Sequence, residues 1–348
     1  MFNQEIRLCG GIALLFQLTF PVSVQGHHSP VTRYNVDETI EIEGVVESVS
    51  WRNPHSTFRV NVTDESGGSV IWSVESGGLM ELRLRGLDRG VIAPGDRIRV
   101  AGLQSRRGRS EMFGRNVLLE DGREVLFDVA AKPRFSDTQL EYEADERLIA
   151  RARQEADGIF RVWSSLPDDP TTHPRSVDGS ETLPLTESAR AAVASWDPAT
   201  APSVTSCEKA MPTIMLAPLI MRFARDGNNI LLNIEEFDTR RVIHMTEKAP
   251  PADEPYSLLG YSVGRWEGDR LHVETSRVEA TAFADGVPLS RQMLIQETFE
   301  PLESGDRMSV TLAIADPESF TTSYRLSWGL AWNPGLEVAD YNCEHVQE

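Results

Sequence analysis

Three histidines in the first part of the chain have the type and spacing to bind a metal ion. His27 and His28 are adjacent in VQGHHSP, and His55 follows in WRNPHS. If the chain is cut after Gly26, His27 offers a free α-amine together with its imidazole, and such nitrogens suit copper first, then zinc or nickel. The pattern therefore predicts a copper site at His27, His28 and His55. The alternative is a plain polar N-terminus, with His55 hydrogen-bonded to a turn.

This metal site depends on processing, and residues 1–26 have the pattern of a secretory signal peptide. Arg7 supplies a positive charge, CGGIALLFQLTF an apolar run, and VSVQG a small-residue cleavage site. The apolar run is shorter than a membrane span requires, and no second run follows. We therefore expect a periplasmic or secreted protein without a membrane span.

A second group of residues, in the C-terminal half, has the side chains needed for acid–base chemistry. Glu235 and Glu236 are followed by Arg240 and Arg241, and Glu297 lies on a later predicted strand. Carboxylates that face an arginine inside a barrel are candidates for acid–base chemistry on a small organic substrate. The candidate catalytic residues are accordingly Glu235, Arg241 and Glu297. The alternative is a set of outward-facing ion pairs, which contribute little.

The segment GYSVG, residues 260–264, has the G-x-S-x-G form of a hydrolase nucleophile elbow. That motif requires a strand before the serine and a helix after it. Here RWEGDRLHVET follows, which is typical of a β-hairpin. The pattern therefore favours Ser262 as an ordinary strand residue rather than a nucleophile.

Removal of residues 1–26 would leave two cysteines, Cys207 and Cys343. Two distant cysteines in an oxidising compartment predict a structural disulfide. Two free, buried thiols are the alternative. Neither cysteine has a C-x-x-C partner, which argues against a zinc site.

Length, charge and strand patterns predict how the chain is organised. The chain has 348 residues and a net charge of −19, so we expect about two domains and no nucleic-acid partner. Residues 27–132 have short β patterns and one helical segment, GGLMELRLRGL, as in a small OB-like β-barrel. Residues 133–206 predict a helical connector, with a first helix over 136–157. Residues 207–348 predict an antiparallel meander that closes into a barrel or curved sheet, so the fold is mainly β.

Two stretches resemble known but uncharacterised bacterial families. The first resembles periplasmic proteins with the pattern HHS, a tyrosine, G-x-V and W-x-N-P-H. It is matched here by His27, His28, Ser29, Tyr34, Gly44, Trp51, Asn53, Pro54 and His55. The remainder, including GYSVGRWEGDRLHVETS and DYNCEH, is similar to secreted proteins of acidobacteria and proteobacteria. The resemblance implies secretion and a two-part β architecture.

Taken together, these patterns predict a binding protein. Its ligands would be copper or another divalent metal at the N-terminal histidines, and a small molecule in the C-terminal barrel. The alternative is an enzyme that uses the carboxylate and arginine groups of that barrel. A structural module of the cell envelope is a third hypothesis.

Overall fold

A computed structural model describes residues 33–63, 66–85, 87–128, 131–140, 145–166, 169–177, 182–196, 207–216, 220–283 and 286–343. His27, His28 and the predicted signal peptide therefore lie outside the described residues. The fold is mainly β, as predicted, with a β-sheet region followed by a closed barrel. No helix in the described ranges combines the length and the apolar character needed to cross a membrane.

The first sheet closes on itself as a small barrel. Strand β1 pairs with β2 and β4, β2 with β3, and β4 with β5, all antiparallel, while β3 and β5 pair in parallel and complete the ring. Helix α1 lies between β3 and β4, as in an OB-like barrel. The elements are β1 Tyr34–Ser50, β2 His55–Thr63, β3 Ser69–Gly77, α1 Leu79–Leu84, β4 Arg97–Ser105, β5 Glu111–Leu118 and β6 Glu124–Leu126.

Alternation of side chains explains why this sheet curls around a core. Phe58 and Val60 on β2, Val74 on β3 and Val100 on β4 are fully buried, and the residues between them face outward. Strand β1 is long enough to bend around the barrel, and a register shift between Val46 and Ser48 marks the bend.

The segment between the barrels is only partly helical. Helix α2, Glu146–Glu155, begins at the N-cap Asp145, whose side chain accepts from two backbone N–H groups. It therefore starts ten residues later than predicted. Helix α3, Glu187–Ala194, is capped by Thr186, whose side chain accepts from the backbone N–H of Ala189. Two short strands of this segment, β7 Val162–Ser164 and β8 Arg175–Ser176, join the second sheet.

The second sheet closes into a barrel of nine strands. Their order around the barrel is β17-β16-β13-β12-β11-β10-β9-β7-β18, and β18 pairs again with β17. Strands β11 and β12 are parallel. Residues 245–260 return the chain to the end of the sheet at which β11 began, so β12 runs in the same direction as β11. The remaining strands are β9 Ile220–Asp226, β10 Asn229–Ile234, β11 Thr239–His244, β12 Tyr261–Glu267, β13 Arg270–Ser276, β14 Thr281–Phe283, β15 Val287–Leu289, β16 Leu294–Pro301, β17 Arg307–Ala315 and β18 Tyr324–Trp332.

The chain end ties the two barrels together. The predicted disulfide between Cys207 and Cys343 is confirmed, with a Cα–Cα distance of 5.9 Å. Asn53 of the first barrel forms a backbone bridge to Cys343, and its side-chain amide donates to the carbonyl of Tyr341 at 3.0 Å. An apolar cluster fills the junction, formed by Met80, Leu84, Ile220, Leu336 and Tyr341.

Candidate functional site

His55, the predicted metal ligand of the first barrel, lies at the first position of β2. Its Nδ1 is 3.2 Å from the carbonyl oxygen of Ser76 and 3.5 Å from Oε1 of Glu75. A carbonyl oxygen only accepts, so Nδ1 must carry the proton, and a neutral ring then has its lone pair on Nε2. The ring also packs edge-on against Phe113. The position and tautomer of His55 are therefore fixed by its neighbours.

Glu75 links His55 to the start of the described chain. The Tyr34 hydroxyl donates to Oε2 of Glu75 at 2.6 Å, and a guanidinium nitrogen of Arg33 lies 3.5 Å from the same oxygen. Burial, together with the negative charge of Glu75, raises the pKa of Tyr34 above its usual range. Tyr34 therefore stays a hydrogen-bond donor. We call Arg33, Tyr34, His55, Glu75 and Ser76 the His55 cluster.

Within the described ranges, no group of three or more His, Cys, Asp or Glu side chains is arranged to hold a metal ion. His27 and His28, the other two predicted ligands, lie outside those ranges. Six residues lead from His28 to Tyr34. An extended chain of that length spans at most about 20 Å.

The structure brings together two of the three predicted catalytic residues. Arg241 of β11 and Glu297 of β16 are buried and face the barrel interior. Nη1 of Arg241 donates to Oε1 of Glu297 at 3.0 Å, and Nη2 donates to Oε2. The Arg241 Nε donates to Ser262 Oγ at 2.9 Å, and Nη2 donates to Thr275 Oγ1 at 2.7 Å. Ser262 is thus a strand residue, as the sequence favours.

This interior network is nearly self-contained. Every nitrogen of the Arg241 guanidinium donates to a neighbouring side chain, and the Ser262 and Thr275 hydroxyls lie 2.9 Å apart. Apolar side chains of the barrel core surround the network. A buried ion pair whose partners satisfy each other is arranged to maintain a structure rather than to exchange protons with a substrate.

Glu235, the third predicted catalytic residue, lies at the junction between the barrels. Nη1 of Arg83, on α1, donates to both of its carboxylate oxygens, at 2.6 and 2.5 Å. The backbone N–H of Ala339 donates to Oε2 at 3.0 Å. Burial raises the pKa of Glu235, and the charge of Arg83 opposes the shift. Glu235 is therefore held by partners other than Arg241 and Glu297.

A cavity of about 340 Å³ lies on the outer face of the C-terminal barrel, across β12, β13, β16, β17 and β18. Its lining includes Arg265, His272, Gln296 and Arg325, whose side chains point away from the core. This cavity differs in place from the small-molecule site that the sequence predicts inside the barrel. The inward-facing side chains pack into one apolar core around the Arg241 network, and the small-molecule site inside the barrel stays a prediction.

Glu75 is a neighbour of His55 that the sequence patterns above do not identify. Apolar and polar residues alternate along β2 and β3 on either side of a glycine-containing turn, and in the observed register His55 pairs with Gly77 and Thr57 with Glu75. Continuing this alternation outward from the turn places Glu75 diagonally beside His55. The contact between Glu75 and Tyr34 forms only when the barrel closes. The pairing of β2 with β3 does not predict that closure.

One family model matches the part of the chain that includes most of the first barrel. A family model described as a family of unknown function (DUF6152) matches residues 17–113, which include His27, His28 and the whole His55 cluster. No curated protein matches the chain. The prediction of an uncharacterised domain in the N-terminal half is confirmed, and this part of the chain is similar to a family that has no assigned activity.

Proposed function

We propose that this protein is a periplasmic or secreted metal-binding protein whose copper site is formed by His27, His28 and His55. The observation that carries the proposal is the hydrogen bond from Nδ1 of His55 to the carbonyl of Ser76. Histidines that bind metals almost always donate their other ring N–H to a carbonyl or carboxylate, which sets the tautomer and raises ligand basicity.

The surroundings of His55 favour a cation. Glu75 places a carboxylate oxygen 3.5 Å from Nδ1 of His55, so negative charge lies behind the ligand. Tyr34 and Arg33 contact the same carboxylate, and this fixes where the chain enters β1. The six-residue tether from Tyr34 then limits how far His28 can lie from His55.

The donor set selects the metal. After cleavage at Gly26, His27 would contribute an amine and an imidazole, and His28 and His55 would add imidazole nitrogens. A site made of nitrogen ligands suits copper before zinc or nickel. Export is supported by the pattern of residues 1–26 and by the Cys207–Cys343 disulfide, because disulfides persist in oxidising compartments.

The first experiment is an intact-mass measurement of the exported protein, which should give His27 as its first residue. Copper(II) titration of that protein is then compared with titrations of His27→Ala and His55→Ala. Each variant should bind copper at least about 100-fold more weakly, because each loses a direct ligand. Glu75→Gln should weaken binding by about tenfold, because it removes the negative charge behind His55.

His244→Ala is the matched control, because His244 lies on β11 of the other barrel. Its copper affinity should equal that of the native protein. A different first residue, or equal affinities of the native protein and His55→Ala, would overturn the proposal. The enzyme hypothesis has weaker support, because Glu235 is bound to Arg83 while Arg241 and Glu297 are bound to each other.

A further inference from the structure

The cavity on the outer face of the C-terminal barrel is built from two cross-strand rows of side chains. In the first row, Arg265 pairs with His272, His272 with Thr298, and Thr298 with Thr311. These residues lie on four neighbouring strands, β12, β13, β16 and β17. Because adjacent strands lie about 4.8 Å apart, the row is about 14 Å long.

The second row is displaced by one strand. Glu274 pairs with Gln296, Gln296 with Ala313, and Ala313 with Arg325 of β18. The two rows together cover five strands, or about 19 Å. We call this surface the outer groove. Arg265 and Arg325 lie at its diagonally opposite ends, and the short side chains of Ala313 and Thr311 on β17 lower the floor beside Arg325.

The outer groove has an arginine at each end, Arg265 and Arg325, and the carboxylate of Glu274 between them. A second carboxylate, Glu267, lies 3.2 Å from Nε2 of His272. Within the described residues, no carboxylate pairs with the guanidinium of Arg265 or Arg325, although the chain has a net charge of −19. Arg270, on the neighbouring strand β13, is paired with Glu300 at 2.7 Å. Two arginines that face a cavity without a carboxylate partner are suited to bind acid groups of a ligand.

The middle of the outer groove has both donors and acceptors. Gln296 Nε2 donates to Glu274 Oε2 at 3.1 Å. The amide oxygen of Gln296 is a hydrogen-bond acceptor on the same side chain. His272 Nδ1 lies 3.1 Å from the hydroxyl of Thr298, and this contact fixes the ring beside the floor. Hydroxyl groups of a ligand could donate to the carboxylate and the amide and accept from the threonines.

Other ligand classes fit the outer groove less well. All five strands are paired on both sides within the barrel, so a peptide has no free sheet edge to extend. Single-stranded nucleic acid is bound by stacking on aromatic rings and by a positive field, and the groove lining includes no Phe, Tyr or Trp side chain. An apolar ligand would leave the polar groups of the lining without hydrogen-bond partners.

We propose that the outer groove binds a short acidic oligosaccharide of the oligouronate class. Its carboxylates lie against Arg265 and Arg325, and its hydroxyls contact Glu274, Gln296 and Thr311. The cavity volume of about 340 Å³ is within the range of small-molecule sites. This site shares no residue with the metal site proposed above, so His55→Ala leaves oligouronate binding unchanged.

The test is calorimetric titration of the full exported chain with trigalacturonate at low ionic strength. Arg265→Ala and Arg325→Ala should each weaken binding by about tenfold, because each removes a charge-assisted hydrogen bond. Arg270→Ala is the matched control and should stay within twofold of the native protein. Ala313→Trp should abolish binding, because the indole fills the floor from the solvent side while the core-facing residues are unchanged.

Neutral maltotriose, a sugar of the same length, should bind at least about tenfold more weakly than trigalacturonate. Equal binding of the two sugars would overturn the acidic assignment. The proposal also fails if trigalacturonate does not bind at about 10 mM, or if Arg265→Ala and Arg325→Ala both bind it like the native protein. Near-ultraviolet circular dichroism of each variant establishes that the barrel is folded.

Discussion

Arg83 of the first barrel donates through one guanidinium nitrogen to both carboxylate oxygens of Glu235 in the second barrel, at 2.6 and 2.5 Å. The two residues are 152 positions apart in the chain. Glu235 is almost completely buried, and the Arg83 side chain is 17% exposed. The apolar cluster of Met80, Ile220 and Tyr341 lies at the same junction. The barrels are therefore joined by a desolvated ion pair as well as by apolar contact.

Removing one partner of this pair should destabilise the protein. Arg83→Met leaves the buried carboxylate of Glu235 without its cation, and we expect a loss of about 3 kcal/mol in the free energy of unfolding. Arg83→Met combined with Glu235→Met should recover most of that loss, because no uncompensated charge remains. Urea denaturation of the two variants measures both effects.

The exposed pair Arg59–Glu47 on the first barrel provides the control. Arg59→Met should change the free energy of unfolding by less than about 1 kcal/mol, because water screens both groups. Equal losses for Arg83→Met and Arg59→Met would show that the junction pair is no stronger than a surface pair.

The two barrels could be predicted from the sequence because their signal is local. Alternation of apolar and polar residues along β2 and β3, with a glycine turn between them, specifies a hairpin whose one face is buried. The disulfide followed from only two cysteines in the predicted mature chain. The hairpins depend on the order of neighbouring residues, and the disulfide depends on the number of cysteines. Both can be read from a single sequence.

The partners of the charged residues could not be predicted in the same way. Glu235 and Arg241 are six positions apart, yet Glu235 pairs with Arg83 and Arg241 with Glu297. The choice depends on which strands become neighbours when the barrel closes, and contacts over such separations leave no periodic pattern. Strand β7 was missed for the same reason, because it is only three residues long and is held by β9 and β18.

Glu81 on α1 should make stability depend on pH. Burial, with the nearby charges of Asp128 and Glu236, raises the pKa of Glu81 to about 8, and Arg85 opposes the shift. In the unfolded chain the same carboxyl ionises near pH 4.5. The folded state therefore binds more protons between these values. The contribution of Glu81 is fully present below pH 4.5 and is lost as the pH rises through about 8.

Glu81→Gln mimics the protonated side chain, so it should remove this dependence. At pH 9 the variant should be more stable than the native protein by about 2 to 4 kcal/mol, and at pH 4 the two should be nearly equal. Glu303→Gln, in an exposed turn, should follow the native protein at both pH values. Parallel curves for native protein and Glu81→Gln across this range would contradict the assignment.

The interior pair Arg241–Glu297 should behave as a structural group. Arg241→Met should lower the free energy of unfolding by about 3 to 5 kcal/mol, because Glu297 is then buried without a cation. Adding Glu297→Leu should restore stability to within about 1 kcal/mol of the native protein. The Ser262 and Thr275 hydroxyls still contact each other in the double variant. If the double variant stays as unstable as Arg241→Met, the barrel requires the pair itself.

The Cys207–Cys343 disulfide should contribute to stability through the length of the loop that it closes. The two cysteines are 136 residues apart, and a loop of that size predicts about 5 kcal/mol from chain entropy alone. We expect Cys207→Ser with Cys343→Ser to lower the free energy of unfolding by about 3 to 5 kcal/mol, and reduction of the native protein to have the same effect.

Hydrogen exchange would show which part of the protein is destabilised when the disulfide is removed. Asn53 bridges to Cys343 and accepts from the backbone N–H of Met80 at 3.1 Å, so the cysteine variant should lose protection first at Met80. The amide of Val100, in the core of the first barrel, should keep its protection relative to global unfolding. Loss of protection at Val100 before Met80 would mean that the disulfide supports the barrel directly. The expected order would mean that it holds the chain end against the junction.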